Sequence, residues 1–201
     1  SVLISKGFRQ HNILKKLGIN VSNKDNLMLY FAGLSMLVTP GGTGQIIKSY
    51  FLKNKFGIEL SKSFPLVFVE RYNDLIAIMT IVTTILIIIQ NYKLLLAVSV
   101  IWAIIILIYF IFRSNKIYKK IESIFDKINF LKKRIDGFSK SYKGLQTTTS
   151  KKMMIENWMF SIVAWSIDAI SVYLVFLGFN QNLDLINNIR NYMYPFHILD
   201  L

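Results

Sequence analysis

Residues 75–112 read LIAIMTIVTTILIIIQNYKLLLAVSVIWAIIILIYFIF, and this stretch decides the fold. Lys93 is its only charged residue, and the uncharged runs on either side, 75–89 and 94–112, hold 15 and 19 residues. A helix needs about 20 apolar residues to cross the roughly 30 Å hydrocarbon core of a bilayer. The alternative, a hairpin buried in a soluble protein, would need a larger surrounding core than 201 residues supply. The stretch therefore predicts a transmembrane helical hairpin.

Charge and hydropathy point in different directions until their arrangement is considered. The chain has 24 Lys and Arg against 11 Asp and Glu, a net charge of +13, yet its mean hydropathy is +0.44. A nucleic-acid-binding protein of this charge should be hydrophilic, whereas clustered charges between long uncharged runs are typical of membrane proteins with basic loops. We therefore expect no nucleic-acid partner.

Cysteine and histidine usage limits the possible chemistry. The absence of cysteine excludes thiolate catalysis, cysteine-based zinc sites and iron–sulfur clusters. With His11 and His197 as the two imidazoles, a zinc site would depend heavily on carboxylates. We predict no metal, no cofactor and no catalytic residue.

A third span is predicted from Ile155 to Phe179, with Asp168 near its middle. The chain begins with Ser1, and residues 1–5 resemble the end of a transmembrane helix that runs into a basic loop. We expect the sequence to be a fragment at both ends.

A shorter apolar segment, Leu27 to Val38, is followed by Thr-Pro-Gly-Gly-Thr-Gly at 39–44 and then by an amphipathic stretch at 45–56. Twelve residues are too few to span a bilayer, and the Pro/Gly turn cannot continue a helix. Residues 27–56 are therefore predicted to form a re-entrant helical hairpin. Non-helical backbone at membrane depth is tolerated only where protein covers it or it lines a wet cavity, which suggests function.

The distribution of basic residues predicts the orientation. Segment 113–154 holds 12 Lys and Arg against 3 Asp and Glu, while 6–24 and 48–62 add five and four basic residues. By the positive-inside rule these three segments are cytoplasmic and the link at 90–93 is outside.

An amphipathic helix is predicted within the basic segment. Apolar residues recur at spacings of three and four from Ile117 to Phe138, which predicts one helix of about 22 residues. Its basic face is expected either to lie on an anionic leaflet or to cover a helix packed on the protein's own loops.

The predicted fold class is therefore all-α, a polytopic transmembrane helical bundle with a re-entrant hairpin and a basic cytoplasmic amphipathic helix. It forms one transmembrane domain over 1–201, divided into the re-entrant hairpin at 27–56, the two-helix transmembrane hairpin at 74–112, the basic cytoplasmic loop at 113–154 and the transmembrane helix at 155–179.

The glycine cluster does not fit a nucleotide-binding loop, because Ile47 stands where a P-loop requires Gly before Lys48-Ser49. A tight turn between two half-helices is the simpler interpretation. If the second half-helix begins at Gly44-Gln45, its free backbone N–H groups could bind an anion such as a lipid phosphate, with Lys48 one turn further on.

Residues 70–74 form a second polar group, at the cytoplasmic end of a predicted span. Glu70 and Asp74 are separated by four residues and share a helix face, while Arg71 is offset by about 100°. The spacing is compatible with a headgroup site and equally with an ordinary interfacial charge cluster.

Asp168 is a carboxylate in the middle of an apolar span, which costs at least about 2.5–3.5 kcal/mol unless it is paired or hydrated. It is predicted either to line a polar path or to pair with Lys48 or Arg71. The alternative is a protonated side chain hydrogen-bonded to Ser166, Ser171 or a neighbouring helix.

The stretches TPGGTGQIIKSYFLK (39–53) and ERYND (70–74) resemble the lysylphosphatidylglycerol synthase transmembrane-region family, also described as flippase-like integral membrane proteins. The matching positions are Pro40, Gly41, Gly44, Lys48, Glu70, Arg71 and Asp74. The chain departs from the pattern at Gln45, where the family usually has Glu, and at Lys48, where Arg is commoner. Residues 164–168 resemble the Trp-and-acid pattern of a downstream helix.

The resemblance implies a lipid substrate. In bacterial relatives the membrane region is thought to move a modified phospholipid between leaflets while a separate soluble domain transfers the aminoacyl group. For archaeal relatives a role in polyprenyl-phosphate-linked glycosylation has been proposed. Both roles bring a phosphate headgroup into the membrane protein, and a soluble transferase is an implied partner.

We therefore predict a multi-pass plasma-membrane protein that binds or translocates an anionic phospholipid or a polyprenyl phosphate. The alternatives are a membrane-embedded glycosyl- or aminoacyl-transferase component, for which no donor site is visible, and a membrane anchor that uses the basic loop. The predicted lipid- or phosphate-binding residues are Gly41, Gly44, Gln45, Lys48, Glu70, Arg71, Asp74 and Asp168.

Overall fold

The computed structural model describes residues 2–35, 44–127 and 135–178. These residues fold as helices without a strand, which confirms the all-α class. The eight helices are α1 (Val2–Lys16), α2 (Asn23–Ser35), α3 (Gly44–Phe56), α4 (Leu60–Ile88), α5 (Tyr92–Arg113), α6 (Asn115–Lys127), α7 (Ile135–Thr148) and α8 (Lys151–Gly178).

Three helices of the described part, α4, α5 and α8, are long and apolar enough to cross a membrane. They cover the three runs that the sequence predicts to be spans, apart from Ile89, which caps α4, and Phe179, which lies outside the described residues. With 29 residues, α4 is about 44 Å long, which exceeds the roughly 30 Å of hydrocarbon. Its first turns therefore extend beyond the hydrocarbon when residues 75–89 cross it.

The hairpin between α4 and α5 closes tightly because short polar residues stand at the turn. Gln90 adopts a positive φ of 56°, and the Asn91 side chain accepts a hydrogen bond from Leu94 N as the N-cap of α5. Further along, Tyr72 Oη donates to the Ile105 carbonyl at 2.6 Å. The two helices run antiparallel, as expected for a transmembrane hairpin.

Helix α4 is the centre of the bundle and packs against α1, α3, α5, α7 and α8. One apolar core joins these helices with α2, and it is built from Ile13, Leu14, Ile19, Leu29, Leu52, Leu66, Val69, Leu145 and Met153. The side chains of α5 and the later half of α8 are mostly exposed and apolar, as they must be if they face lipid.

The basic segments meet at one end of the bundle. Lys55 at the end of α3 pairs with Asp25 at the start of α2, and Lys140 of α7 pairs with Glu59 at 2.7 Å. The Tyr142 hydroxyl donates to the Ile111 carbonyl at the end of α5 at 2.5 Å. This is the arrangement that the positive-inside rule requires, and the orientation itself stays a prediction.

Helices α2 and α3 pack antiparallel, because Asp25 at the start of α2 pairs with Lys55 at the end of α3. The turn between them, residues 36–43, lies outside the described residues. Both helices have 13 residues and are too short to span a bilayer. The re-entrant position of this pair in the membrane stays a prediction.

The prediction for the N-terminal region is wrong in one respect. Residues 6–24 are not simply a basic loop, because Val2–Lys16 form one helix in which Arg9, Gln10 and Ile13 are buried. The positive-inside rule uses the number of basic residues and takes no account of the carboxylates that pair with them. A buried Arg that pairs with a carboxylate contributes nothing to a cytoplasmic surface.

The predicted single helix over 117–138 is also wrong. The rings of Tyr118 and Phe138 stack with centroids 6.1 Å apart, whereas twenty residues of continuous helix would separate them by about 30 Å. Helices α6 and α7 instead fold back on each other, and Phe125 also packs on Phe138. Both helices turn apolar residues to this contact, so a spacing of three and four does not distinguish two helices from one.

The close packing of α7 on α4 can be tested at two glycines of α7. A Cβ at Gly144 would lie 2.7 Å from Pro65 Cγ and 3.2 Å from Leu17 Cδ2, whereas one at Gly137 would lie 3.6 Å from its nearest neighbour, Ser61 Cβ. We expect Gly144→Ala to destabilise the protein by about 1–3 kcal/mol through overpacking. The readout is thermal unfolding in detergent followed by tryptophan fluorescence.

Gly137→Ala is the matched control, because it makes the same replacement in the same helix without the clash. It should leave the melting temperature unchanged or slightly higher, since Ala favours helix over Gly. Equal melting temperatures for the two variants would contradict the described packing.

Candidate functional site

Four charged side chains meet inside the bundle, although burial of a charge is costly. Arg9 of α1, Lys48 of α3, and Glu70 and Asp74 of α4 are between 1% and 5% exposed. Glu70 and Asp74 share one face of α4, as their spacing of four residues predicts. This group, together with Arg71 and Ser161, is called the charge cluster below.

The first ion pair of the cluster joins α3 to α4. Lys48 Nζ lies 2.7 Å from Glu70 Oε2. The Lys48 stem reaches this position across α2, where Gly33 leaves room for it; a Cβ at Gly33 would lie 2.5 Å from Lys48 Cε. The ammonium also lies 5.4 Å from the centre of the Tyr30 ring.

The charge of Lys48 depends on its partner. Burial lowers the pKa of the Lys48 ammonium, while the charge and hydrogen bond of Glu70 act in the opposite direction. We therefore expect Lys48 to lose its proton readily if Glu70 loses its negative charge.

The second part of the cluster is centred on Asp74. Its Oδ1 atom accepts from Arg9 Nη1 at 2.5 Å and lies 3.3 Å from Ser161 Oγ of α8. Arg9 Nη1 also donates to the Ser161 hydroxyl. The other carboxylate oxygen, Asp74 Oδ2, lies 3.3 Å from Arg71 Nη2. One carboxylate therefore ties α1 and α8 to α4 and also holds Arg71.

Arg71 differs from the other cations because its side chain is 50% exposed. A guanidinium group has five N–H donors in a planar fork, and the contact with Asp74 occupies one nitrogen. Arg71 is thus the accessible cation of the cluster, held in place from behind.

Two polar atoms of the cluster are buried without a hydrogen-bond partner among the described residues, the acceptor Glu70 Oε1 and the donor Arg9 Nε. Buried polar atoms are rarely left unpaired, and such atoms usually bind water. The cluster therefore has unused hydrogen-bonding capacity of both kinds.

A fourth ion pair joins α1 to α8 outside the charge cluster. Lys6 Nζ lies 3.2 Å from Asp168 Oδ2 and 4.8 Å from the centre of the Trp165 ring. The sequence-based partners of Asp168, Lys48 or Arg71, are therefore wrong. No hydrogen bond joins Asp168 to Ser171 among the described residues, and the Ser171 hydroxyl donates to the Ile167 carbonyl.

The predicted site residues have different positions. Lys48 was expected to grip a phosphate, but its ammonium is buried and bound to Glu70. Gly41 lies outside the described residues, and Gly44 and Gln45 are described only as backbone of α3. Their roles, and phosphate binding by the cluster as a whole, stay predictions.

The sequence-based reasoning missed Lys6, Arg9 and Ser161. A signal for Arg9 was present, because Ile13 lies four residues on and the two share the core-facing side of α1. Ser161 carries no signal of this kind, since serine is common in transmembrane helices.

No cluster of three or more His, Asp or Glu side chains that could hold a metal ion occurs in the described parts of the chain. The ionisable groups are instead arranged as cation–carboxylate pairs.

Comparison with known proteins gives one family and one relative. The family described as "Lysylphosphatidylglycerol synthase TM region" matches residues 1–193. A UPF0104 membrane protein of Methanocaldococcus jannaschii is 24% identical over 155 residues, which cover 74% of this chain and 63% of that protein. The chain thus matches less than two thirds of the relative's length. No solved structure gives a significant match.

The buried pair of Lys48 and Glu70 leads to a test of stability. Removing one partner of a buried ion pair leaves an uncompensated charge and typically costs about 3–5 kcal/mol, whereas replacing both with apolar residues is often neutral. We expect Glu70→Met and Lys48→Met each to lower the free energy of unfolding by several kcal/mol, and the double variant to recover most of it.

The exposed pair of Lys140 and Glu59 is the control for this cycle. Exposed ion pairs contribute at most about 1 kcal/mol, so Lys140→Met, Glu59→Met and their double variant should differ little. Unfolding in detergent gives all six values. Additive losses at Lys48 and Glu70 would show that the two side chains are not energetically coupled.

Proposed function

The chain belongs to the lysylphosphatidylglycerol synthase TM region family, and from this we propose that it binds an anionic phospholipid or lipid-linked phosphate and moves it between leaflets. We place it in the plasma membrane as a multi-pass protein. Membrane lipids are then its principal partners.

The observation that carries the proposal is the half-exposed Arg71 at the edge of the charge cluster, whose other charged residues are buried and paired. Among the described residues, the contact recorded for the Arg71 guanidinium is the one between Nη2 and Asp74, and half of the side chain is exposed. A guanidinium fork can bind two phosphate oxygens at once, and such charge-assisted bonds are the strong ones in proteins. Arg71 is the group that we expect to meet the headgroup first.

The position of Arg71 in α4 supports a headgroup ligand. The uncharged run that crosses the membrane begins at Leu75, directly after Asp74. Arg71 is one helical turn before it, about 6 Å along the axis. This is the depth at which lipid phosphates lie, at the boundary between hydrocarbon and water.

The charge of the cluster favours a single negative charge. The three cations Arg9, Lys48 and Arg71 face two carboxylates, Glu70 and Asp74, so one positive charge remains. A phosphodiester carries one negative charge, and its binding would make the group neutral. Neutrality is what a site entering a low-dielectric environment requires.

Binding at Arg71 need not leave Asp74 unpaired. A phosphate at Arg71 would compete with Asp74 Oδ2, but Asp74 Oδ1 keeps Arg9 and Ser161 as partners. Arg71 is therefore the exchangeable cation, whereas Arg9 is the permanent one. This division of roles fits a site that must bind and release its ligand.

The proposal is tested with the full chain reconstituted in vesicles that contain fluorescent phosphatidylglycerol. We expect Arg71→Gln to weaken lipid binding and transfer about 10- to 100-fold, because a charge-assisted hydrogen bond contributes about 1.5–3 kcal/mol. Transfer is followed by bleaching of the label in the outer leaflet.

Arg113→Gln is the matched control, since Arg113 is an exposed arginine at the end of α5 that donates to the Gln146 carbonyl. It removes the same charge at the same end of the bundle but away from the cluster. Wild-type transfer by folded Arg71→Gln protein, or equal losses in both variants, would rule out Arg71 as the headgroup site.

A further inference from the structure

The ion pair of Lys6 and Asp168 stands apart from the charge cluster. Asp168 lies near the middle of α8, and its side chain is 42% exposed, while that of Lys6 is 17% exposed. The neighbouring residues Ile170 and Val172 are exposed and apolar. A partly exposed ion pair at this depth is costly, and such residues generally mark a path for ions or polar substrates.

Helix α8 carries a polar face along much of its length. Asn157, Ser161, Trp165 and Asp168 follow each other at spacings of four, four and three residues, so they form one stripe. The stripe faces Lys6 and Arg9, which are one turn apart on α1. The six residues are called the polar seam below.

Three donors on the seam have no partner among the residues that the structure describes. They are Arg9 Nε, Trp165 Nε1 and Asn157 Nδ2, and Asn157 is 1% exposed. Apolar packing would not favour a buried donor without an acceptor. The Lys6 ammonium lies over the Trp165 ring, so a cation and a free N–H donor occur side by side.

The seam continues from the cluster that contains Arg71. Asp74 contacts Arg71 on one oxygen and Arg9 on the other, and Lys6 follows one turn away from Arg9, about 4.5 Å along α1. Along α8, Asp168 lies seven residues beyond Ser161, about 10 Å further. The basic side chains Arg71, Arg9 and Lys6 therefore follow one another at short distances, so a lipid phosphate could pass from one to the next.

We propose that Lys6 and Trp165 form a second phosphate site, about two turns of α8 deeper in the membrane than the site at Arg71. The ligand is the phosphodiester of an anionic lipid, and it displaces Asp168 from Lys6 while accepting a hydrogen bond from Trp165 Nε1. This inference rests on the proposed function, because it describes where the headgroup goes after Arg71.

Asp168 acts in this site as the resting partner of Lys6. It holds the ammonium in the seam when no lipid is bound, and its exposed position lets it turn away when the phosphate arrives. An ion pair with a purely structural role would behave differently, since loss of either partner would leave the other uncompensated and would do similar damage.

The test separates binding from transfer in vesicles with fluorescent phosphatidylglycerol. Lys6→Gln should bind the lipid as wild type does but transfer it at least about tenfold more slowly, and Lys6→Arg should restore transfer. Asp168→Asn should retain transfer, because it removes the competitor of the phosphate. Lys16→Gln, at the exposed end of α1, is the control and should be unchanged.

Thermal unfolding is measured for every variant. If Lys6→Gln does not fold, the transfer rates of Lys6→Arg and Asp168→Asn are compared, and loss of transfer in Asp168→Asn would contradict the second site. Equal loss of transfer in Asp168→Asn and Lys6→Gln, or undiminished transfer in folded Lys6→Gln, would overturn the second site. Inhibition of transfer by soluble glycerol phosphate would overturn its assignment to a lipid.

The two proposals fail in distinguishable ways. If Arg71→Gln loses binding while Lys6→Gln transfers normally, the second site is wrong and the proposed function stands. If the wild-type chain neither binds nor transfers phosphatidylglycerol or a polyprenyl phosphate, both are wrong.

Discussion

The carboxylate of Asp74 is the point on which the bundle depends. It lies directly before the uncharged run of α4 and is 5% exposed, and an unpaired charge buried there would be costly. Arg9 and Ser161 satisfy one oxygen and Arg71 contacts the other. The need to compensate one charge therefore fixes the positions of α1 and α8 against α4, and the remaining packing is built around that contact.

The same constraint divides the basic residues into different classes. Arg9 and Lys48 are buried and bound to carboxylates, so they stabilise the arrangement of helices and cost stability if left alone. Arg71 contacts a carboxylate that already has other partners, so Arg71 can exchange Asp74 for a ligand. Most of the net charge of +13 belongs to neither class, because it lies in the segments at one end of the bundle. Net charge identifies the class of protein, whereas burial identifies the residues that matter for a ligand.

The sequence predicted some elements well because their physics is local. The uncharged runs predicted the three apolar helices, and the spacing of Glu70 and Asp74 predicted their shared face. The helix over 117–138 was predicted wrongly because periodicity does not record where a chain folds back. The partner of Asp168 was also wrong, because Lys6 is 162 residues away in the sequence and no local pattern joins them.

By itself, the sequence determined the all-α membrane class, the three apolar helices and the polar motif at 70–74 that precedes the uncharged run of α4. Those features depend on the free energy of placing each segment in lipid or water, which is a property of composition and spacing. Tertiary structure alone decided which cation meets which carboxylate, that Arg71 is the accessible cation, and that α1 faces the polar side of α8. These depend on the packing of distant helices, because a charge inside a low-dielectric bundle takes the partner that the fold brings within reach.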